Sequence, residues 1–150
     1  TLIIRITDAP VQLRHLNVTI SGLYASRVEQ SFGFAYKENW ENLSLVDGVT
    51  QITLDILALQ NVTKDLSISE VLAGNYTKLR MSVIAAEATF VNGTIMDLEV
   101  PPGHIDVIIS FQIKAGKATA LLVDVEADQI AISRTGKLRP VIKATVISDP

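Results

Sequence analysis

Two-residue alternation of apolar and polar side chains dominates this chain. Val107, Ile109, Phe111 and Ile113 alternate with Ile108, Ser110, Gln112 and Lys114, and Leu16, Val18, Ile20 and Gly22 alternate with Asn17, Thr19 and Ser21. Ile52, Leu54 and Ile56 repeat the pattern around Thr53 and Asp55. Neighbouring side chains of an extended strand point to opposite faces, so this period belongs to sheets with one buried face, and a helix does not satisfy it. The residue types agree. Val, Ile and Thr account for 44 of 150 positions, and their β-branched side chains suit a pleated, half-buried surface. Only the stretch from Asp65 to Leu72 is compatible with a helix, and it is about two turns long.

Turn chemistry punctuates these runs. Asn92-Gly93, between Thr89-Phe90-Val91 and Thr94-Ile95-Met96, predicts a hairpin with a type I′ turn, whose two positive φ angles Asn and Gly accept. Lys114-Ala-Gly-Lys117 predicts a second turn, leading into Ala120-Leu-Leu-Val-Asp-Val125. Further breaks fall at Asp8-Ala-Pro10, Asp47-Gly48, Ala73-Gly74, Pro101-Pro-Gly103 and Thr135-Gly136. Breaks spaced roughly 8–15 residues apart predict an all-β chain folded as one β-sandwich over residues 1–150.

Composition narrows the function. The chain is 48% hydrophobic and 19% charged, against about 25% charged for an ordinary soluble domain, so it is short of solvated surface. A net charge of −3 provides no basic field for nucleic acid or anionic lipid. The absence of cysteine excludes disulfides, thiolate metal sites, iron–sulfur clusters and a cysteine nucleophile. No apolar run approaches the roughly 18 residues of a membrane helix. The sequence opens at Thr1 with neither an initiator Met nor a charged-then-apolar leader, and reads as a processed or trimmed product.

Asparagine usage points to a location. Of six asparagines, five begin Asn-x-Ser/Thr: Asn17, Asn42, Asn61, Asn75 and Asn92. With 22 Ser and Thr in the chain, composition alone yields roughly one such match. These are acceptors for N-linked glycans, which leave only from exposed positions and are attached by machinery facing outwards. The competing reading is that Asn and Thr are simply frequent in turns and strands. Glycosylation without cysteine is unlike a small eukaryotic secreted module, which is usually stapled by disulfides. An extracellular location at an archaeal cell surface fits better.

A search for catalytic chemistry finds none. His15 and His104 lie in unrelated segments, and there is no His-Glu-x-x-His, no Gly-x-Ser-x-Gly and no phosphate loop. Asp124, Glu126 and Asp128 share one face of an extended strand and are the one candidate set of metal ligands, for Ca²⁺. They lack a glycine-turned loop, and a solvated strand face explains them as well. Trp40, Tyr24, Tyr36 and Tyr76 are scattered, so packing accounts for them better than a sugar-stacking platform does. The chain is expected to be no enzyme and to carry no cofactor beyond its covalent glycans.

Several segments carry a family resemblance. They are Ile6-Thr7-Asp8-Ala9-Pro10, Asp55-Ile-Leu-Ala-Leu59, Ala73-Gly74-Asn75-Tyr76 running into Leu79-Arg80, Val100-Pro-Pro-Gly103, Leu122-Val-Asp124 and Leu138-Arg-Pro-Val-Ile142. In this order they resemble the family of domain of unknown function 4382, found in surface and secreted proteins of archaea and bacteria. The family pattern looks like Leu-Pro-Ala-Gly where this chain has Leu72 in the proline slot. The resemblance implies an Ig-like or transthyretin-like β-sandwich with Greek-key connections, and it implies no activity and no catalytic residues.

The first strand suggests assembly. In Thr1-Leu-Ile-Ile-Arg-Ile-Thr7, Leu2, Ile4 and Ile6 lie on one face while Ile3 joins Arg5 on the other. So apolar a strand must be covered. It either pairs within its own sandwich or is donated to a groove of the next copy, a head-to-tail contact that does not close and so builds a filament. Burying Leu2, Ile3, Ile4 and Ile6 at about 1.5–3 kcal/mol each is worth on the order of 6–12 kcal/mol before ordering costs. The strand-like run Val141-Ile-Lys-Ala-Thr-Val-Ile147 offers the same tactic at the other end. By analogy this is the logic of archaeal surface threads and bacterial usher pili, serving adhesion or cell–cell contact. Some such threads carry isopeptide links, and the positions of the seven lysines do not reveal one. The alternative is a monomeric surface-displayed domain binding carbohydrate or protein.

Overall fold

The computed structural model describes residues 1–8, 13–30, 36–59, 64–126, 131–133, 135–139 and 141–148. Those residues are all-β and form two packed sheets, a β-sandwich. The small sheet has the order β12 (Ile142–Ser148), β9 (Thr119–Val125), β1 (Leu2–Asp8), β5 (Lys64–Ser69). β1 runs parallel to β9 and antiparallel to β5. The large sheet is centred on two long antiparallel strands, β2 (Leu13–Gln30) and β6 (Gly74–Phe90). β3 (Tyr36–Leu43) and β4 (Ile52–Asp55) share the free edge of β2. β7 (Ile95–Leu98) and β8 (His104–Ile113) share that of β6. A two-stranded ladder, β10 (Ala131–Ile132) with β11 (Leu138–Arg139), joins Glu99 through backbone hydrogen bonds.

Alternation places the core between the sheets. Leu2, Ile4, Ile6, Leu66, Leu121 and Val123 enter it from the small sheet, and Leu16, Ile20, Leu23, Leu79, Val107 and Ile113 from the large one. β1 occupies an interior position of its own chain's sheet, with Leu2 and Ile4 fully buried and Ile6 1% exposed.

Two local expectations are revised, and one strand proves longer than its alternation alone shows. The stretch from Asp65 to Leu72 forms β5 and a following loop instead of helical turns. The hairpin after β6 is present, but its turn differs from type I′. Phe90 O accepts from Gly93 N and Phe90 N donates to Thr94 O, both at 2.9 Å, and only Gly93 has positive φ (90°). This is a three-residue loop with a glycine bulge. Asn92 keeps a negative φ because its side-chain oxygen accepts from Thr94 N at 2.9 Å, a bond that already holds the turn. The alternation around Gly22 belongs to a much longer strand, for the Tyr24 ring covers that glycine and β2 continues through it.

Candidate functional site

The described Asn-x-Ser/Thr asparagines sit on the large sheet and its hairpin. Asn17 in β2 lies between the inward-facing Leu16 and Val18, is half-buried, and pairs across to Asp55 and Glu87. Asn42 in β3 is exposed opposite Tyr24. Asn75 at the start of β6 is exposed between Val28 and Gln112. Asn92 is exposed at the hairpin tip. Asn61 lies outside the described residues. No described acceptor lies on the small sheet.

The same outward face carries a charged cluster that the sequence reading missed. Cross-strand register sets Trp40 opposite Ser26, Ser26 opposite Lys78, and Arg80 opposite Asp106. The Arg80 guanidinium lies 4.3 Å from the Trp40 ring centroid, and Lys78 Nζ lies 5.9 Å from it, both within cation–π range. Arg80 also grips Asp106 with two donors, Nε at 2.7 Å and Nη2 at 3.0 Å. Ser26 Oγ donates to Glu38 Oε1 at 2.6 Å, and Lys78 pairs with the same oxygen at 3.2 Å. The Arg80 bonds hold the Asp106 carboxyl below its ordinary range. The Ser26 hydroxyl, and then Lys78, do the same for Glu38. Lys78/Arg80 and Glu38/Trp40 at two-residue spacing were the available signal, but only the register of four strands joins them.

The other aromatic residues take separate roles. Tyr76 is buried, stacks on Phe111 with centroids 5.1 Å apart, and donates to Leu72 O at 2.6 Å. The Tyr36 side chain lies outside the described set. Of the acidic candidates, Asp124 and Glu126 fall in and just after β9, Glu126 pairs with Lys143 at 3.5 Å, and Asp128 lies outside the described residues. His15 and His104 remain apart in the fold. His15 Nδ1 contacts Asp55 Oδ2 at 2.8 Å, and Asp55 Oδ1 accepts from the amides of Leu16 and Leu57. Burial pushes the Asp55 carboxyl up, but His15 and the two amides outweigh it, so its pKa falls below the ordinary value. His104 opens β8 at 3.9 Å from Asp106.

Residues 1–140 match the family described as a domain of unknown function (DUF4382). The chain belongs to this family. No curated protein and no solved structure matches it. The family segments now have structural reasons. Gly74 has φ 151°, and a Cβ there would meet the Arg27 side chain at 3.1 Å. Tyr76 ties the segment back to Leu72, the arrangement of a tyrosine corner. Pro101-Pro102-Gly103 makes the turn into β8, with Gly103 at φ 105°. β12 lies beyond the matched span.

Three of the four candidate strand-exchange residues face their own chain's core. Leu2, Ile4 and Ile6 pack into the core, and Ile3 looks outward beside Ala120 and Ile68.

Proposed function

We infer that the chain is a non-enzymatic, N-glycosylated structural protein of an archaeal cell surface, a subunit of a filament of identical copies joined head to tail by exchange of β1, serving adhesion or cell–cell contact. One observation carries this reading: the described Asn-x-Ser/Thr asparagines all lie on the large sheet and its hairpin, and none lies on the small sheet. The outward residues of the small sheet include Ile3, Ile68 and Leu122. Sugars then coat one side and leave the other bare for a neighbour. β1 is the strand suited to exchange. Vacating it opens a slot between β5 and β9, and an identical strand refills that slot with the same contacts. The buried Leu2, Ile4 and Ile6 are worth on the order of 5–9 kcal/mol to whichever sheet they join. The second reading, a monomeric surface-displayed domain that binds carbohydrate or protein, draws on the pairing of β1 with both neighbours in its own chain.

A lock separates the two. Ile3 and Ala120 are directly paired across β1 and β9, and the chain has no other cysteine, so the double variant Ile3→Cys/Ala120→Cys closes β1 into its own sheet when oxidised. Native and reduced protein should form rods by negative stain and sedimentation, and oxidised protein should remain monomeric. Rods from the locked protein would reject exchange of β1, and a native protein that stays monomeric would reject the filament. Mass spectrometry of the Asn17, Asn42, Asn61, Asn75 and Asn92 peptides from native material tests the surface assignment, with sugar expected on the exposed sites.

A further inference from the structure

The edge of β2 is interrupted at one place. β4 pairs with residues 17–20 and β3 with residues 23–30, so Ser21 and Gly22 face a gap between the two strands. On the other side of β2 the register with β6 shifts between Ile20 and Gly22, which leaves Ser21 as an extra residue there too. Such bulges concentrate beside functional sites. Ser44 and the segment through the 3-10 turn at Val46–Gly48 border the same gap. Together they border an open depression of about 400 Å³, whose lining includes the polar Ser21, Tyr24, Asn42 and Thr50 and the aliphatic Leu45 and Val49.

Its chemistry is narrow. None of the described residues lining it is charged. Hydroxyls come from Ser21, Ser44, Thr50 and Tyr24, and an amide from Asn42. The phenol end of Tyr24 lies close against Gly22. A Cβ on that glycine would come within 2.7 Å of the phenol oxygen and 3.1 Å of two ring carbons. Tyr24 thus packs its hydroxyl end on Gly22 and also lines the depression. A phosphate or carboxylate ligand finds no cation here. A peptide strand finds only two residues of open edge. A pyranose fits: its C–H face packs on an aromatic ring, and its hydroxyls exchange hydrogen bonds with Ser, Thr and Asn.

A sugar is also expected at this spot. Asn42, the acceptor of Asn42-Leu43-Ser44, is exposed and stands directly across the ladder from Tyr24. We propose that the depression is a saccharide subsite that seats one pyranose ring on Tyr24, and that the ring is supplied by the chain's own glycan on Asn42. The source rests on the glycoprotein reading above, whereas the subsite does not. Tethering through Asn42 raises the local sugar concentration, so the contact need not be strong. A glycan folded down in this way covers the open edge of β2, the part of a sheet most liable to pair with other chains.

Two arms test the site and the source separately. In the first, protein from a non-glycosylating host is titrated with N-acetylglucosamine and with glucose while amide NMR shifts are followed. Saturable shifts should be confined to Ser21, Gly22, Tyr24 and Thr50. Tyr24→Ala should weaken binding about tenfold, a loss equivalent to one aromatic contact, and Tyr24→Phe should retain most of it. In the second arm, native glycosylated protein is compared with Asn42→Gln and with Asn75→Gln. Amide exchange at Ser21 and Gly22 should be slowed several-fold in the native protein and in Asn75→Gln, and should be fast in Asn42→Gln. Sugar-dependent shifts in the first arm with Asn42 unmodified in native protein would overturn the internal source and assign the subsite to an external glycan. An occupied Asn42 with unprotected Gly22, together with no shifts in the first arm, would overturn the subsite while leaving the glycoprotein reading intact.

Discussion

On the large sheet, outward residues of β3, β2, β6 and β8 include Glu38, Trp40, Ser26, Lys78, Arg80 and Asp106, joined by ion pairs, hydrogen bonds and a cation–π stack. On the small sheet the outward positions hold Ile3, Ile68 and Leu122, with ion pairs from Arg5 to Asp65 at 2.8 Å and from Lys143 to Glu126, just past β9, at 3.5 Å. Both sheets send the same aliphatic chemistry inward. What distinguishes them is therefore their outer surface. Charges paired among themselves have little need of a partner, whereas an outward aliphatic side chain such as Ile68 gains from one. The parallel pairing of β1 with β9 belongs to the same contrast, since parallel strands are usually those covered on both faces.

The largest test of the contrast sets an inward residue of the small sheet against an outward one of the large sheet. Ile4 is fully buried between β9 and β5, so Ile4→Ala should cost about 3–4 kcal/mol through lost transfer energy and a residual cavity. Ile108 is 74% exposed on β8, and Ile108→Ala should stay within about 0.5 kcal/mol of the parent. Urea unfolding midpoints measure both. Similar losses at the two positions would mean that β1 is less essential to the core than its burial implies.

Acid should act on the charged face next. Asp106 and Glu38 have folded-state pKa values below their ordinary 3.8 and 4.5, through Arg80 and Ser26 respectively. A depressed carboxylate stabilises the fold fully above its unfolded value, and the contribution is lost as pH falls through the lower folded value. Asp55 behaves in the same direction. The side chains of Arg80 and Asp106 are about one-third exposed, so solvent screening limits that pair to less than about 1 kcal/mol. Asp106→Asn should therefore lower stability at neutral pH by a few tenths and narrow the difference between urea midpoints at about pH 6 and about pH 3. An unchanged difference would show that Asp106 does not carry the acid response of this face.

How far these features could be read from sequence depends on how many strands each requires. β8 and β1 were legible because one strand with strict alternation defines its own buried face. β5 was hidden because Ser67 and Ser69 are buried and bonded to each other and to Ser44, which puts polar residues at inward positions. The full lengths of β2 and β6 were hidden by bulges. Ser21 and Ile84 are extra residues in the ladder, and each shifts the two-residue period by one. The acceptor asparagines were visible as motifs. The gathering of the described ones on one sheet, the Trp40–Arg80 stack and the depression beside Tyr24 all depend on register between strands distant in sequence. Asn92 was read correctly as a hairpin residue, but the use of its side chain as a hydrogen-bond acceptor decided the turn type.

The smallest expected effect probes where the two sheets meet. A void of about 30 Å³ lies between them, lined by Ile6 and Val125 from the small sheet and by Leu16, Ile20, Met81 and Val83 among others from the large one. No polar side chain among the described residues lines it, and a water placed there would lack the two to four partners it needs. Val125→Ile adds one methylene and keeps the β-branch that β9 favours. A buried methylene is worth about 0.8 kcal/mol, so a gain of roughly 0.5 kcal/mol remains after side-chain ordering, or about 1–2 °C in Tm for a chain of this size. A loss of stability would mean that the sheets already pack too closely at this point to admit another carbon. The fit between the two inner faces would then be tighter than the void implies, and the contrast between the sheets would rest on their outer surfaces alone.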